Sequence, residues 1–214
     1  MKTLKQHIFE KLKVSSTHAY TLFPKTKDEL KEMIEDEISK KGNDCSLNHI
    51  NVSKITDMSE LFFGSKFNGD ISNWDVSNVT DMGSMFYNSK FNGDISDWDV
   101  SSVENMEEMF SYSNFTGDIS NWDVSKVENM SYMFYESFFN KDISNWDVSS
   151  VRNMDSMFAY SRFNGDISKW DVSNVESLNE IFKASAFMGD ASSLRKSKAW
   201  LKSNRRAKAP AARN

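Results

Sequence analysis

Residues 67–86 read FNGDISNWDVSNVTDMGSMF, and variants of this phrase recur every 24 residues along most of the chain. Two sets of aromatic residues follow the spacing without a gap: Phe67, Phe91, Phe115, Phe139, Phe163 and Phe187, then Trp74, Trp98, Trp122, Trp146 and Trp170. A fixed period of this length is typical of a solenoid, in which each repeat packs only on its neighbours. The sequence therefore predicts six stacked 24-residue coils between residues 50 and 193.

One part of the repeat predicts a short helix. Met82, Met85 and Phe86 have the spacing i, i+3, i+4, which places them on one helical face. The position before Met82 holds a good N-cap residue in all six copies: Asp57, Asp81, Asn105, Asn129, Asn153 and Ser177. A start at Ser101 also resembles a capping box with Glu104, but the residue at that second position varies between copies, so we prefer the later start.

The other part of the repeat predicts extended chain. Asp-Ile-Ser-Asn-Trp-Asp-Val, as in residues 70–76, reads as the parallel strand of each coil, and Val103 and its equivalents read as the start of a second short extended piece. Together the two parts predict an α/β repeat solenoid with one short parallel strand and one short helix per coil.

The ends of the chain differ from the repeat and are expected to cap it. Residues 2–13 suggest one short helix, and residues 27–41 predict an amphipathic helix with Thr26 as N-cap, Glu29 completing a capping box and Gly42 beyond its end. We divide the chain into a helical N-terminal cap (1–49), the six-repeat solenoid (50–193) and a C-terminal cap with a basic tail (194–214).

Charge is distributed unevenly. Residues 51–190 hold 9 Lys+Arg against 23 Asp+Glu, whereas residues 191–214 hold 8 basic residues and no acid. An acidic body repels phosphates, so we expect no nucleic-acid partner. No stretch is long and apolar enough for a membrane span, and the first residues lack the pattern of a secretory leader. These features favour a cytoplasmic or virion-associated protein, or a surface protein whose leader has been removed.

The phrase in residues 67–86 closely resembles the repeat of BspA-like bacterial surface proteins, and the Asp-Ile-Ser-x-Trp-Asp-Val-Ser core is intact in five copies. The resemblance covers residues 50–193. It implies a right-handed, leucine-rich-repeat-like stack, and a role in adhesion to host or neighbouring cells. It carries no catalytic residues over to this chain.

Two ladders of aspartates run through the repeats: Asp70, Asp94, Asp118, Asp142, Asp166 and Asp190, then Asp75, Asp99, Asp123, Asp147 and Asp171. Stacking places equivalent carboxylates about 5 Å apart, so their repulsion requires compensation. Calcium is one candidate. Backbone N–H groups within each turn are the other, and we prefer it because the Gly-rich spacing of calcium-binding repeats is absent. We therefore predict no metal and no cofactor.

The positions where repeats disagree are the candidates for binding. The two positions that directly follow Phe86 and its equivalents hold one aromatic residue in five of six copies. The aromatic residue alternates between the two positions: Phe63, Tyr87, Tyr112, Tyr135 and Tyr160. Core positions repeat in register, so the alternation favours a partly exposed row suited to recognition. The competing interpretation is that these rings only cover the helix edge.

The sequence contains no catalytic triad, phosphate-binding loop or paired-cysteine motif, and its single cysteine, Cys45, reads as structural. We predict a non-enzyme that recognises a protein or a glycan through one face of the solenoid. A structural component of a phage virion or cell envelope, and an intracellular protein-binding sensor or inhibitor, are the alternatives.

Overall fold

The structure is a computed structural model that describes residues 20–200. The helix expected at residues 2–13 and residues 201–214 of the basic tail lie outside this range. Two helices lie wholly within this range, the α-helix α1 (Lys27–Lys41) and a 3₁₀ helix (Ser192–Lys196). Between them the chain forms six stacked coils. Backbone amides in each coil bond to carbonyls of the adjacent coil, 23 to 25 residues away, in agreement with the predicted 24-residue repeat.

The helix expected in each coil is not formed. In the second coil, the amides of Met85 and Tyr87 bond three residues back, to Met82 and Ser84, at 3.2 and 3.1 Å. The amide between them points along the stack instead, since Phe86 N–H donates to the carbonyl of Met109 at 3.0 Å. An α-helix would direct all of these amides four residues back. The segment is therefore a run of tight turns whose alternate amides bind the next coil.

Left-handed backbone explains why these turns cannot become a helix. Ser84 has φ 53° and Asn88 has φ 49°, and the equivalent positions of the other coils are also positive. A right-handed helix requires φ near −63° at every residue. Met82, Met85 and Phe86 still point inward together, because a succession of turns reproduces the same spacing.

The strand expected at residues 70–76 is also absent. The backbone N–H of Trp74 donates to the carbonyl of Ile71 at 3.1 Å, and that of Val79 donates to the carbonyl of Val76 at 2.9 Å. Two successive turns therefore occupy residues 71–79. Among residues 20–200, parallel pairing is confined to isolated bridges, such as the one between Asp57 and Asp81. The expected α/β class, a leucine-rich-repeat-like solenoid with a strand and a helix in each coil, is therefore wrong.

Side-chain acceptors hold these turns. The expected N-cap position contains an acceptor of this kind, since Asp81 Oδ1 accepts the Gly83 N–H at 2.8 Å, but it starts a turn rather than a helix. Similarly, Asp70 Oδ1 accepts the Ser72 N–H at 3.0 Å. Such local bonds satisfy donors that a strand ladder would otherwise use.

The core consists of columns of buried side chains that run along the stack. Phe86 and Phe110 are fully buried with ring centroids 5.6 Å apart, and Phe91 lies 4.4 Å from Phe86 in the same coil. The indole N–H of each of the five repeat tryptophans bonds to a backbone carbonyl 27 residues earlier, as Trp98 Nε1 does to Ile71 O at 3.2 Å. The invariant aromatic residues of the repeat are thus explained by packing and by this inter-coil bond.

The separations of equivalent rings indicate that the stack curves towards one side. Phe63 and Tyr87 are equivalent and nearly parallel, with ring centroids 4.6 Å apart, whereas Trp74 and Trp98 are equally parallel but 6.4 Å apart. Four backbone hydrogen bonds cross each coil boundary on the Phe63 side and hold the coils close there. We call the side formed by residues 57–64 and their equivalents the concave side.

Helix α1 covers the first coil. Its bounds agree with the sequence prediction, and Thr26 and Gly42 cap it as expected. Leu30 and Ile34 are buried in the same core as the coils. Lys27 Nζ lies 3.2 Å from Asp57 Oδ1 in the first coil. At the other end, Leu194 of the 3₁₀ helix is buried against the last coils.

Candidate functional site

A continuous row of aromatic side chains runs along the concave side of the stack. Ring centroids are separated by 4.6 Å, 5.4 Å, 5.3 Å and 5.5 Å at its successive contacts. We call it the aromatic row: Phe63, Tyr87, Tyr112, Tyr135 and Tyr160. Phe63, Tyr112 and Tyr160 are 53%, 41% and 44% exposed, and the other two are half-buried. The structure thus brings together all five residues selected from the sequence.

The alternation between two sequence positions does not interrupt the row. Tyr87 and Tyr135 occupy the first position, and Tyr112 occupies the second, yet Tyr112 contacts both rings. The contacts of Tyr112 are inclined at 60° and 58°, unlike the parallel stack of Phe63 on Tyr87. The row therefore presents ring edges and ring faces in turn.

The second position has left-handed backbone whatever residue it holds. Tyr112 has φ 55° and Tyr160 has φ 57°, while Gly64 and Asn88 occupy the same position elsewhere in the stack. Bulky residues pay a conformational cost in this region that Gly avoids and Asn reduces. The fold accepts the better-suited residues here, so it does not require tyrosine.

Sequence analysis missed one member of this surface. Tyr132 is 38% exposed and lies 5.6 Å from Tyr135. Its position in the repeat holds Glu60, Ser84 and Glu108 in earlier coils, so an aromatic residue there breaks the period. An aromatic residue at a position that otherwise holds glutamate or serine could have identified Tyr132 from the sequence. The expected helix did not place this position next to the row.

The third and fourth coils carry five glutamates, four of them at positions that precede the aromatic row in the repeat and one, Glu136, at the second position of the row: Glu104, Glu107, Glu108, Glu128 and Glu136. We call them the acidic flank. Glu108 accepts from Ser84 Oγ at 3.1 Å and Glu107 accepts from Asn129 Nδ2 at 3.2 Å. Among residues 20–200, Glu128 is the member of this flank with an ion-pair partner, Arg152 at 3.7 Å.

A different surface follows on the other flank. Lys66, Lys90 and Arg162 share one position of the repeat with Phe138. The guanidinium carbon of Arg162 lies 4.4 Å above the centre of the Phe138 ring, a cation–π contact between exposed side chains. In the order of the repeat, the positions of the aromatic row thus lie between mostly acidic positions in the third and fourth coils and a partly basic one.

Hydroxyl groups in the row interact with their neighbours. Desolvation raises the pKa of Tyr112 to about 12, and a hydrogen bond with Tyr135 acts in the same direction. At the far end, Lys183 donates to Glu180 at 2.9 Å, which raises the pKa of Lys183, and Tyr160 contributes to the same shift. Tyr112 is therefore an un-ionised hydrogen-bonding group at neutral pH.

The aspartate ladders lie outside the aromatic row and serve their own turns. Asp94 Oδ1 accepts the N–H and the hydroxyl of Ser96 at 3.0 and 2.7 Å, and Asp171 Oδ1 accepts the Ser173 N–H at 3.0 Å. These backbone bonds are the first cause of the lowered pKa of Asp94, Asp118, Asp142, Asp166 and Asp171. In these turns the carboxylates therefore accept N–H groups of their own segments.

Other candidate chemistry can be located in the described range. Burial raises the pKa of the Cys45 thiol, which does not favour a reactive thiolate. Residues 20–200 contain no cluster of three or more His, Cys, Asp or Glu side chains arranged to hold a metal ion. Over the same range, no helix has the length and apolar character needed to cross a bilayer.

Comparison with known proteins adds one result. No curated protein and no solved structure matches the chain significantly. The sequence model of one family matches twice, over residues 28–138 and 111–210, and the two matches together span most of the chain. The chain therefore belongs to the family described as "Mycoplasma protein of unknown function, DUF285".

Proposed function

We propose that the chain is a non-enzymatic recognition module that binds a macromolecular partner, a protein or a glycan, along its aromatic row. The observation that carries this proposal is the continuity of five exposed or half-buried rings on the concave side, despite their irregular positions in the repeat. Curved repeat stacks commonly bind partners on the concave surface.

The cost of the tyrosines supports the proposal. Tyr112 and Tyr160 have φ values of 55° and 57°, at a position that Gly64 and Asn88 occupy in other coils. Strained side chains retained where the fold tolerates better ones are typical of functional positions. Tyrosine also contributes a large contact area for little side-chain entropy, which suits recognition. The resemblance of the repeat to BspA-like surface proteins agrees with an adhesive role.

The test compares three full-length proteins immobilised and exposed to extract from the organism that encodes the chain. The first is the wild type. The second, the row variant, combines Tyr87→Ala, Tyr112→Asn, Tyr135→Ala and Tyr160→Asn, using residues that other copies accept at these positions: Ala159 at the first and Asn88 at the second. The third is the matched control Phe138→Asn, which removes an exposed aromatic residue outside the row and copies Asn114.

We expect one partner to be retained by the wild type and by Phe138→Asn but lost from the row variant, with all three proteins melting at similar temperatures. Purified partner then gives the dissociation constant by calorimetry. Retention of every captured species by the row variant contradicts the proposal. A collapse of thermal stability in the row variant would instead assign the rings to packing.

A further inference from the structure

We propose that the partner is a protein whose contact segment carries lysine or arginine, and that these cations sit on Tyr112, Tyr132 and Tyr135 beside the acidic flank. This inference rests on the proposed function and specifies its partner. These three tyrosines are the densest group of aromatic side chains on this surface. They lie in the adjacent third and fourth coils, and Tyr135 contacts both of the others.

The acidic flank lies in the same two coils as these three rings, and the fold does not require all of it. The position of Glu107 holds serine, glycine, aspartate or asparagine in other coils, and that of Glu136 holds glycine, asparagine, tyrosine or alanine. The positions of Glu104 and Glu108, in contrast, hold glutamate in three of the six copies. Glu107 and Glu136 therefore depart from the repeat in the same coils as Tyr132 does. Independent departures from a strict period at one location indicate that the location has a role of its own.

The negative charge of the flank is largely uncompensated. Among the ion pairs within residues 20–200, no lysine or arginine pairs with Glu104, Glu107, Glu108 or Glu136. Uncompensated charge of one sign on a concave surface attracts ligands of the other sign. It repels phosphates, sulfates and acidic sugars, so a polycationic segment fits this surface better than an acidic glycan.

The tyrosine rings add an attraction of their own for cations, because the face of an aromatic ring is electronegative. The chain already contains such a contact, with Arg162 held 4.4 Å above the exposed ring of Phe138. A partner arginine over Tyr132 would repeat this arrangement, with carboxylates added beside it. Rings and carboxylates together thus select guanidinium or ammonium groups.

The length of the surface indicates an extended segment. From Phe63 to Tyr160 the row crosses four coil boundaries, which at about 5 Å each corresponds to roughly 20 Å. An extended polypeptide of about six residues spans this distance. The chain's own residues 201–214 are also basic, with five Lys+Arg and no acid, so the experiment must distinguish an intramolecular occupant from an external one.

The probe is a library of random linear peptides selected against the immobilised full chain. We expect the enriched peptides to carry lysine or arginine and no acid. One enriched peptide is then synthesised with a counterpart in which every lysine and arginine is glutamine. The wild type should bind the first at least about tenfold more tightly, a difference of about 1.4 kcal/mol, and added salt should weaken that binding.

Two variants with equal loss of charge give the matched comparison. E107Q/E108Q/E136Q should reduce binding of the basic peptide at least tenfold, whereas D94N/D118N/D142N, which removes three charges from an aspartate ladder, should leave it within about twofold. Enriched peptides that are neutral or acidic, yet lost on the row variant, overturn the cationic partner and leave the proposed function standing. Enrichment of no peptide that depends on the row overturns both.

A last variant separates the two sources of cations. It replaces Lys202, Arg205, Arg206, Lys208 and Arg213 by glutamine in the full chain. Unchanged affinity for the basic peptide supports an external partner. A gain of tenfold or more shows that the chain's own basic segment fills the surface and overturns the external assignment.

Discussion

Tyr112 and Tyr135 lie in contact, with ring centroids 5.3 Å apart, although they occupy different positions in their repeats. Tyr112 makes this contact from left-handed backbone at φ 55°. An irregular sequence pattern and an unfavourable backbone conformation thus combine to give a regular surface. Stability alone does not explain that combination, because Asn88 occupies the position of Tyr112 one coil earlier.

Replacing Tyr112 by asparagine should separate stability from binding. We expect Tyr112→Asn to be as stable as the wild type or more stable by up to about 1 kcal/mol, since asparagine tolerates left-handed backbone better than tyrosine does. Partner affinity should fall. Chemical denaturation gives the free energy of unfolding. Tyr112→Phe is the control, because it keeps the ring and the backbone cost. Marked destabilisation of Tyr112→Asn would show that the ring mainly packs the fold.

The sequence allowed the stacking, the 24-residue register and the Lys27–Lys41 helix to be predicted, because each follows from a pattern with one physical cause. The architecture of a coil could not be predicted in the same way. Met82, Met85 and Phe86 point inward in a helix and in a run of turns alike, so their spacing does not distinguish the two. Left-handed residues do distinguish them, but serine, glutamate and tyrosine at those positions conceal the conformation.

The strand prediction failed for a related reason. Ile71, Trp74 and Val76 look like the buried side of a strand, but Asp70 binds the amide of Ser72 and thereby starts a turn. The clue was the Asp-x-Ser spacing, which occurs twice in every intact core of the repeat. At the candidate site, the selected aromatic residues were found together because irregularity in a repeat identifies exposed positions whichever local structure the coil adopts.

Gly69 should be far less replaceable than its equivalents. A Cβ atom at Gly69 would lie 1.9 Å from the carbonyl oxygen of Cys45, whereas at Gly165 the nearest atoms belong to the Phe163 ring at 2.8 Å. Lys141 occupies the same position in the fourth coil, so a ring neighbour can adjust where backbone cannot. We expect Gly69→Ala to lower the free energy of unfolding by about 1–3 kcal/mol, and Gly165→Ala by less. Equal losses would contradict the argument.

The phenylalanine columns should contribute more in the middle of the stack than at its end. Phe110 is fully buried between neighbouring rings, whereas Phe182 in the last coil is half-buried. Phe110→Ala should therefore lower the free energy of unfolding by about 3–5 kcal/mol, the range for a fully buried ring. Phe182→Ala should cost clearly less. Urea denaturation of both variants provides the measurement, and a larger loss at Phe182 would show that the last coil is better packed than its exposure indicates.

Acid should destabilise the stack in a narrow range of pH. The pKa values of Asp94, Asp118, Asp142 and Asp166 are lowered in the folded chain, because each carboxylate accepts a serine backbone N–H. A group whose pKa is lower when folded stabilises the fold above its unfolded value, near 3.9, and loses that effect as pH falls through the folded value. We expect the melting temperature to be level from neutral pH to about pH 5 and to fall below about pH 4.

Asparagine provides the control for this effect, because it accepts the same bond without titrating. Asn51 already holds such a turn, with its Oδ1 accepting the Ser53 N–H at 3.1 Å. The combined variant Asp94→Asn, Asp118→Asn, Asp142→Asn and Asp166→Asn should stay folded and show a shallower fall in melting temperature below pH 4. An unchanged acid response would assign it to other carboxylates, such as Asp57 beside Lys27, whose pKa is also lowered although its burial opposes that shift.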